Sequence, residues 1–424
     1  MERIFSIIFT TSLLTTSLLA QEEVAEKRDR IPSVKKAIGS VGATKKKDVS
    51  VVSEFEHMFR DGKVTGQFRT MYAGYNQEQA SQSDTYATAI GGGLKYELAS
   101  LYGFNGAVAF ITSQDLRFAT GKKAKQNSDL SSSKGNYTQM SEAYINYSYD
   151  KFNFRAGRQS IDTPLADSDD VRMIPNTFEA YIATYEIDNL TLMVGNLQKW
   201  QGFDAGLDDG WVDTGKYGTN FGGISYDGKN MGYNLWYYNI TGNTNAFYAD
   251  IQFGYDLDKD FSIHSGIQYL NESELDNSGT QADIYGVMLE FVAYDLGFNF
   301  AYDKANKKTN KSSFSGTGGG AMYTGMDTMI IDEIATDRDA DAIVVGLSYA
   351  LDNLNMLYAY GDFSGARDSL GDKAHIVEQD IGFNYDVDKE LGISAIYVIQ
   401  EDKESSQKTS NDWNRFEFMI DYNF

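Results

Sequence analysis

From residue 63 onward, hydrophobic and polar positions alternate with a period of two. In the last run Phe416, Phe418, Ile420, Tyr422 and Phe424 share one parity, and Arg415, Glu417, Met419, Asp421 and Asn423 share the other. Near the start, Gln67, Arg69 and Met71 alternate with Phe68, Thr70 and Tyr72. In between, Ile145, Tyr147 and Tyr149 oppose Glu142, Tyr144 and Asn146. Successive side chains of a strand point to opposite faces, so each run predicts a strand with one apolar and one polar face. The pattern predicts strands near 63–76, 85–98, 103–112, 137–149, 151–159, 178–186, 190–198, 221–227, 231–239, 245–256, 260–269, 281–294, 296–304, 342–350, 354–363, 374–386, 391–400 and 414–424. That is eighteen strands, or sixteen if short runs such as 221–227 and 296–304 are not strands of their own.

The connections alternate as well. Tight polar turns occur at Asp150, Ile187-Asp188-Asn189, Gly228-Lys229-Asn230, Leu257-Asp258-Lys259, Asp295, Leu351-Asp352-Asn353 and Val387-Asp388-Lys389-Glu390. Asp, Asn and Gly suit such turns because they accept left-handed backbone or hydrogen-bond to it. The intervening connections, 113–136, 160–177, 199–220, 270–280, 305–341 and 401–413, are longer. Short turns on one rim and long loops on the other are the layout of a transmembrane antiparallel β-barrel. Closure follows from the solvent, because lipid cannot satisfy a free strand edge. A secreted solenoid or a pair of sandwiches does not require this alternation of loop lengths.

The first sixty residues read differently. Residues 1–20 have a short charged start, a run of apolar and Thr/Ser residues without charge, and Ala20 before the acidic Gln21-Glu22-Glu23, which predicts a cleaved export signal. Residues 21–60 carry nine cations against seven anions and few aromatics, so the chain from Asp61 onward carries −25 against −23 for the whole. This lead-in is read as flexible, or as a periplasmic or lumen-plugging arm with a short helix at 51–59. The domain reading is therefore 1–20 signal peptide, 21–60 lead-in and 61–424 barrel.

Composition narrows the function. The chain has no Cys, which excludes disulfides, zinc-thiolate sites and a cysteine nucleophile. Its acidity argues against nucleic acid as a partner. Only His57, His264 and His375 are available for acid–base chemistry, and no motif surrounds them, so no enzyme activity and no catalytic residue are expected. The acidic groups Asp204-Asp208-Asp209-Asp213 and Asp337-Asp339-Asp341 lack the loop that completes a calcium site, and are read as surface or pore-mouth acids. Gly316-Thr317-Gly318-Gly319-Gly320 lacks the Lys-Ser/Thr of a phosphate loop and is read as a flexible external loop. No metal and no cofactor are expected.

The elements Gly157-Arg158-Gln159, Asp162-Thr163-Pro164-Leu165 and Arg172-Met173-Ile174-Pro175-Asn176-Thr177-Phe178-Glu179, in this order, resemble the OprD-type outer-membrane porins. In that family a strand end of this kind leads into the third extracellular loop, and loop 160–177 is third on that rim here, after 77–84 and 113–136. Asp61-Gly62-Lys63-Val64-Thr65-Gly66-Gln67-Phe68-Arg69 is similar to the first strand of the epsilonproteobacterial branch, and Asp412-Trp413-Asn414-Arg415-Phe416-Glu417 to the last strand. The resemblance implies eighteen strands around a water-filled channel for small hydrophilic solutes and ions in the Gram-negative outer membrane, with the third loop folded into the lumen. The terminal Phe424 resembles the signal read by the barrel-assembly machinery. Outer-membrane lipid and lipopolysaccharide are the implied surroundings, and the molecule is a monomer or a trimer.

Such pores set wall arginines against acidic groups on the loop, and opposed charges across a narrow aqueous gap orient and sort solutes. The candidate constriction residues are Asp162, Asp167, Asp169, Asp170 and Arg172. The lumen-wall candidates are Arg69, Glu142, Arg155, Arg158, Arg415 and Glu417, although Arg158 falls on the other parity. A charge facing lipid at mid-depth costs about 2–4 kcal/mol, which favours the inward placement of mid-strand arginines. The excess of acids predicts a cation preference. The competing reading is a surface adhesin or structural barrel whose long loops bind.

Overall fold

The computed structural model describes residues 51–122 and 125–424. The expected signal at 1–20 and lead-in positions 21–50 lie outside the described residues. A helix, α1 (Val51–Arg60), precedes eighteen long strands: β1 (Lys63–Gln77), β2 (Thr85–Glu97), β3 (Phe104–Asp115), β4 (Asn136–Tyr149), β5 (Phe152–Gln159), β6 (Thr177–Ile187), β7 (Leu190–Gln201), β8 (Thr219–Asp227), β9 (Met231–Ile240), β10 (Thr244–Asp256), β11 (Phe261–Glu274), β12 (Ala282–Ala293), β13 (Leu296–Ala305), β14 (Ala340–Leu351), β15 (Leu354–Gly365), β16 (Ala374–Asp386), β17 (Leu391–Asp402) and β18 (Trp413–Asn423). Each strand pairs antiparallel with the next. β18 returns to β1 in the register Gln67↔Asn423 through Gln77↔Trp413. Beyond that ladder, Gly66 and Phe424 exchange two backbone bonds of 2.9 Å, so the barrel closes to the last residue.

All eighteen expected strands are present, the short ones included. Several run further toward the long-loop rim than the pattern predicts: 260–269 is Phe261–Glu274, and 103–112 is Phe104–Asp115. In β11 the outward parity changes from Ile267 and Tyr269 to Asn271 and Ser273. Hydrophobic contrast therefore fades there while backbone pairing continues. At the short-turn rim, Asp188 and Asp352 adopt φ of 49° and 48°, a left-handed conformation that Asp tolerates.

The two faces follow the alternation. Phe68, Val194, Ile267, Leu347, Ile381, Phe416 and Tyr422 are exposed on the outside. Arg69, Met71 and Ala73 of β1, and Arg415, Glu417, Met419 and Asp421 of β18, are buried on the inside. Two long connections pack against inward side chains. Ile161 and Leu165 of segment 160–176 join a buried cluster with Phe178, Trp236 and Tyr238. Met322, Met326, Ile331 and Ile334 of segment 306–339 join the same cluster with Ala342, Val344 and Phe363.

The glycine-rich run at 316–320, expected to be a flexible external loop, is tied to segment 160–176. Thr317 donates its N–H to the Leu165 carbonyl (3.0 Å) and accepts from the Asp167 N–H (3.2 Å). Lacking side chains at Gly318 and Gly319, the chain comes close to Asn176 and Asp167, an approach that glycine permits and composition alone does not announce.

Candidate functional site

Arg69 sits at an inward position of β1 and is fully buried. A buried guanidinium must have its charge and its donors answered. Asp170 of segment 160–176 answers it in a two-pronged pair, Nη1–Oδ1 2.7 Å and Nη2–Oδ2 3.0 Å. Asp421, directly across the β1–β18 seam, takes Nη2 at 3.0 Å. The Arg172 carbonyl is the third partner and accepts from Nη1.

Arg172 extends the arrangement. Its Nη1 lies 3.1 Å from Glu417 Oε2, its Nη2 lies 3.7 Å from Asp327 Oδ2, and the guanidinium stands 5.2 Å from the Phe203 ring centre. Arg415 contacts the same Asp327, places Nε 3.4 Å from Glu417 Oε1, and donates Nη1 to the Tyr75 hydroxyl at 3.1 Å. Three guanidinium groups thus meet four carboxylates, Asp170, Asp327, Glu417 and Asp421, leaving the network at −1. It ties together the closing seam, segment 160–176 and segment 306–339.

Sequence reasoning named Arg69, Asp170, Arg172, Arg415 and Glu417, and the structure brings these five together. The other six candidates lie apart from the network. Glu142 pairs with Lys95 at 2.8 Å. Arg155 donates to Asn146 Oδ1 at 3.3 Å and lies 4.4 Å above the Tyr144 ring. Arg158 faces Glu179 at 3.5 Å and lies 4.5 Å from the Trp211 ring centre. Asp162 and Asp167 oppose each other in a minimal hairpin. Neither they nor Asp169 form an ion pair with a described residue. Burial, with Asp162 and Asp169 close by, pushes the Asp167 carboxyl up to about 8. Burial, with Asp204 and Asp170 close by, pushes Asp169 up to about 7.

Two members were missed. Asp421 shares the parity of Arg415 and Glu417, so the alternation already held its signal. Asp327 lies in a connection without periodicity and had none. Segment 306–339 is docked by wall carboxylates that accept its backbone donors: Glu272 takes the Phe314 N–H at 2.9 Å, Asp303 the Thr324 N–H at 2.9 Å, Glu378 the Thr328 N–H at 2.9 Å and Asp380 the Asp327 N–H at 3.1 Å.

The remaining clusters have partners of their own. Asp337 accepts the N–H groups of Asn310 (2.8 Å) and Ser369 (2.9 Å), Asp341 pairs with Lys304 at 2.9 Å, and Asp208 accepts the Ser133 N–H at 3.1 Å. His375 faces Asp362 at 3.1 Å.

No protein-family model matches the chain, and no curated protein sequence matches it. Solved structures do. The BenF-like porin from Pseudomonas fluorescens Pf-5 superposes with a TM-score of 0.74 at 16% identity, covering 87% of this chain and 99% of that one. OccAB4 of Acinetobacter baumannii gives 0.73 at 15%, covering 86% and 98%. OpdK of Pseudomonas aeruginosa, solved with vanillate, gives 0.72 at 16%, covering 87% and 99%. The fold is therefore that of the OprD-type, eighteen-stranded porin barrels.

Proposed function

We propose that this protein is an outer-membrane porin through which small hydrophilic solutes and ions diffuse passively, with a preference for cations. In this reading segment 160–177 folds into the water-filled lumen and narrows it. The protein acts as a channel and not as an enzyme. A signal at 1–20 directs export, Phe424 is read by the assembly machinery, and lipid and lipopolysaccharide surround the wall.

The observation that carries the proposal is the fastening of Asp170 and Arg172 to Arg69 and Glu417. These contacts hold a loop against charged side chains that a lipid-facing wall would not tolerate. Opposed guanidinium and carboxylate groups around a narrow aqueous gap create a transverse field, which orients dipolar solutes and filters by charge. The cation preference rests on the −1 balance of that network, on Asp162 and Asp167, which form no ion pair with a described residue, and on the charge of −25 from Asp61 onward.

Single-channel recording of the refolded protein in a planar bilayer under a salt gradient tests the reading. Discrete conductance steps and a reversal potential of the cation sign are expected. A heat-modifiable barrel that inserts and passes no current overturns the porin assignment. A reversal potential of the anion sign overturns the selectivity.

A further inference from the structure

We infer that α1 is an interfacial helix, lying in the lipid leaflet at the short-turn rim and anchoring the lead-in to the membrane outside the barrel wall. Its position comes first. Ala99 in the β2–β3 turn donates its N–H to the Met58 carbonyl at 3.0 Å. The Tyr96 hydroxyl donates to the Phe59 carbonyl, and the Tyr102 hydroxyl donates to Glu54 Oε2 at 2.7 Å. Tyr96 shares its parity with Leu94 and pairs with Val64, and those two neighbours are each 54% exposed on the outer face. The helix is therefore tethered to the outer side of the wall, away from Arg69 and the inward side chains.

Its chemistry comes second. Phe55, Met58 and Phe59 recur at i, i+3 and i+4, which is one face of a helix. Glu54, Glu56, His57 and Arg60 take the other face. Phe55 and Phe59 are 52% and 57% exposed, and stand one turn apart. Val64, Leu94, Tyr102 and Phe104 are exposed on the same rim, the level at which aromatic side chains of a membrane barrel meet the headgroups. An apolar stripe opposite a charged face, at the edge of a lipid-facing wall, matches a helix lying in the interface plane. This goes beyond channel function, and it requires only that the barrel spans a membrane.

The cysteine-free chain gives each introduced thiol a unique label. Nitroxides placed through Phe55→Cys, Glu56→Cys, Phe59→Cys and Arg60→Cys are read by power saturation in vesicles of phosphatidylethanolamine with phosphatidylglycerol. Ile267→Cys, on the outward face of β11, serves as the lipid control. Positions 55 and 59 are expected to collide with oxygen more than with a water-soluble nickel complex, with the order reversed at 56 and 60. Nickel access at all four positions places the helix in water and overturns the inference. Exclusion of both reagents at 55 and 59 indicates a protein contact, such as a second copy or the lead-in, and also overturns it. Loss of the lipid signature at 267 would instead refute the spanning barrel.

Discussion

Arg69 of β1 and Asp421 of β18 face each other across the seam that closes the barrel, and the other edge of the same guanidinium grips Asp170. One side chain therefore serves both closure and the placement of segment 160–176. Removing one partner of a buried ion pair leaves the other uncompensated, at about 3–5 kcal/mol. Arg69→Gln is expected to lower the unfolding free energy of the heat-modifiable form by that order, read as a lower urea midpoint, and to raise conductance as Asp170 is released. The double variant Arg69→Gln/Asp421→Asn should recover part of the stability and none of the conductance change. Equal midpoints for Arg69→Gln and the parent chain would remove Arg69 from this role.

Asp327 is shared between Arg172 and Arg415. Asp327→Asn takes the network from −1 to neutral and leaves two guanidinium groups less compensated. The expected outcome is a reversal potential shifted toward anions under a salt gradient, with the barrel still heat-modifiable. An unchanged potential would show that the permeating ion does not sense this network.

The barrel was legible because lipid imposes a strict rule on one parity of every strand. Phe416, Ile420 and Tyr422 obey it without exception, and Asp188 and Asp352 mark turns by local backbone chemistry alone. The same alternation put Arg69, Arg415 and Glu417 inside, where two loops meet them. Asp421 follows the same parity as Glu417, two periods of the alternation further on, and is buried with it. Asp327 and the docking of 306–339 were not legible. They depend on backbone N–H groups meeting Glu272, Asp303, Glu378 and Asp380, which lie on three different strands. Such contacts leave no periodic trace. Strand ends were misjudged where outward positions such as Asn271 and Ser273 turn polar above the lipid-facing band.

Gly157 shares the inward parity of Arg155 on β5, paired with the buried Tyr144, two residues before the strand gives way to segment 160–176. Its φ is +123°, and a Cβ there would lie 2.2 Å from the Ala143 carbonyl oxygen of the paired strand. Gly157→Ala must therefore distort the β4–β5 ladder, at about 1–3 kcal/mol for the backbone strain alone. Gly346 on β14 is the control, since a Cβ there meets Asn299 Cβ at 3.6 Å and nothing closer. Gly346→Ala should stay within about 0.5 kcal/mol. Urea titrations of both variants make the comparison, and equal midpoints would refute the steric account.

Asp167 and Asp169 are expected to give the channel a pH dependence near neutrality. Burial, together with the carboxylates nearby, raises them to about 8 and about 7, with Arg172 pulling Asp169 the other way. Both are largely protonated at about pH 6 and largely ionised at about pH 9, since each titrates over about one unit either side of its pKa. The sign follows: raising the pH adds up to two negative charges to the segment, so cation preference should increase across this window. The preference should be weakest at the acidic end. Asp167→Asn/Asp169→Asn should flatten the response while leaving the Arg69–Asp170 contact in place. Reversal potentials recorded at several pH values decide the matter. A slope that survives the double substitution would assign the titration to other carboxylates of the barrel.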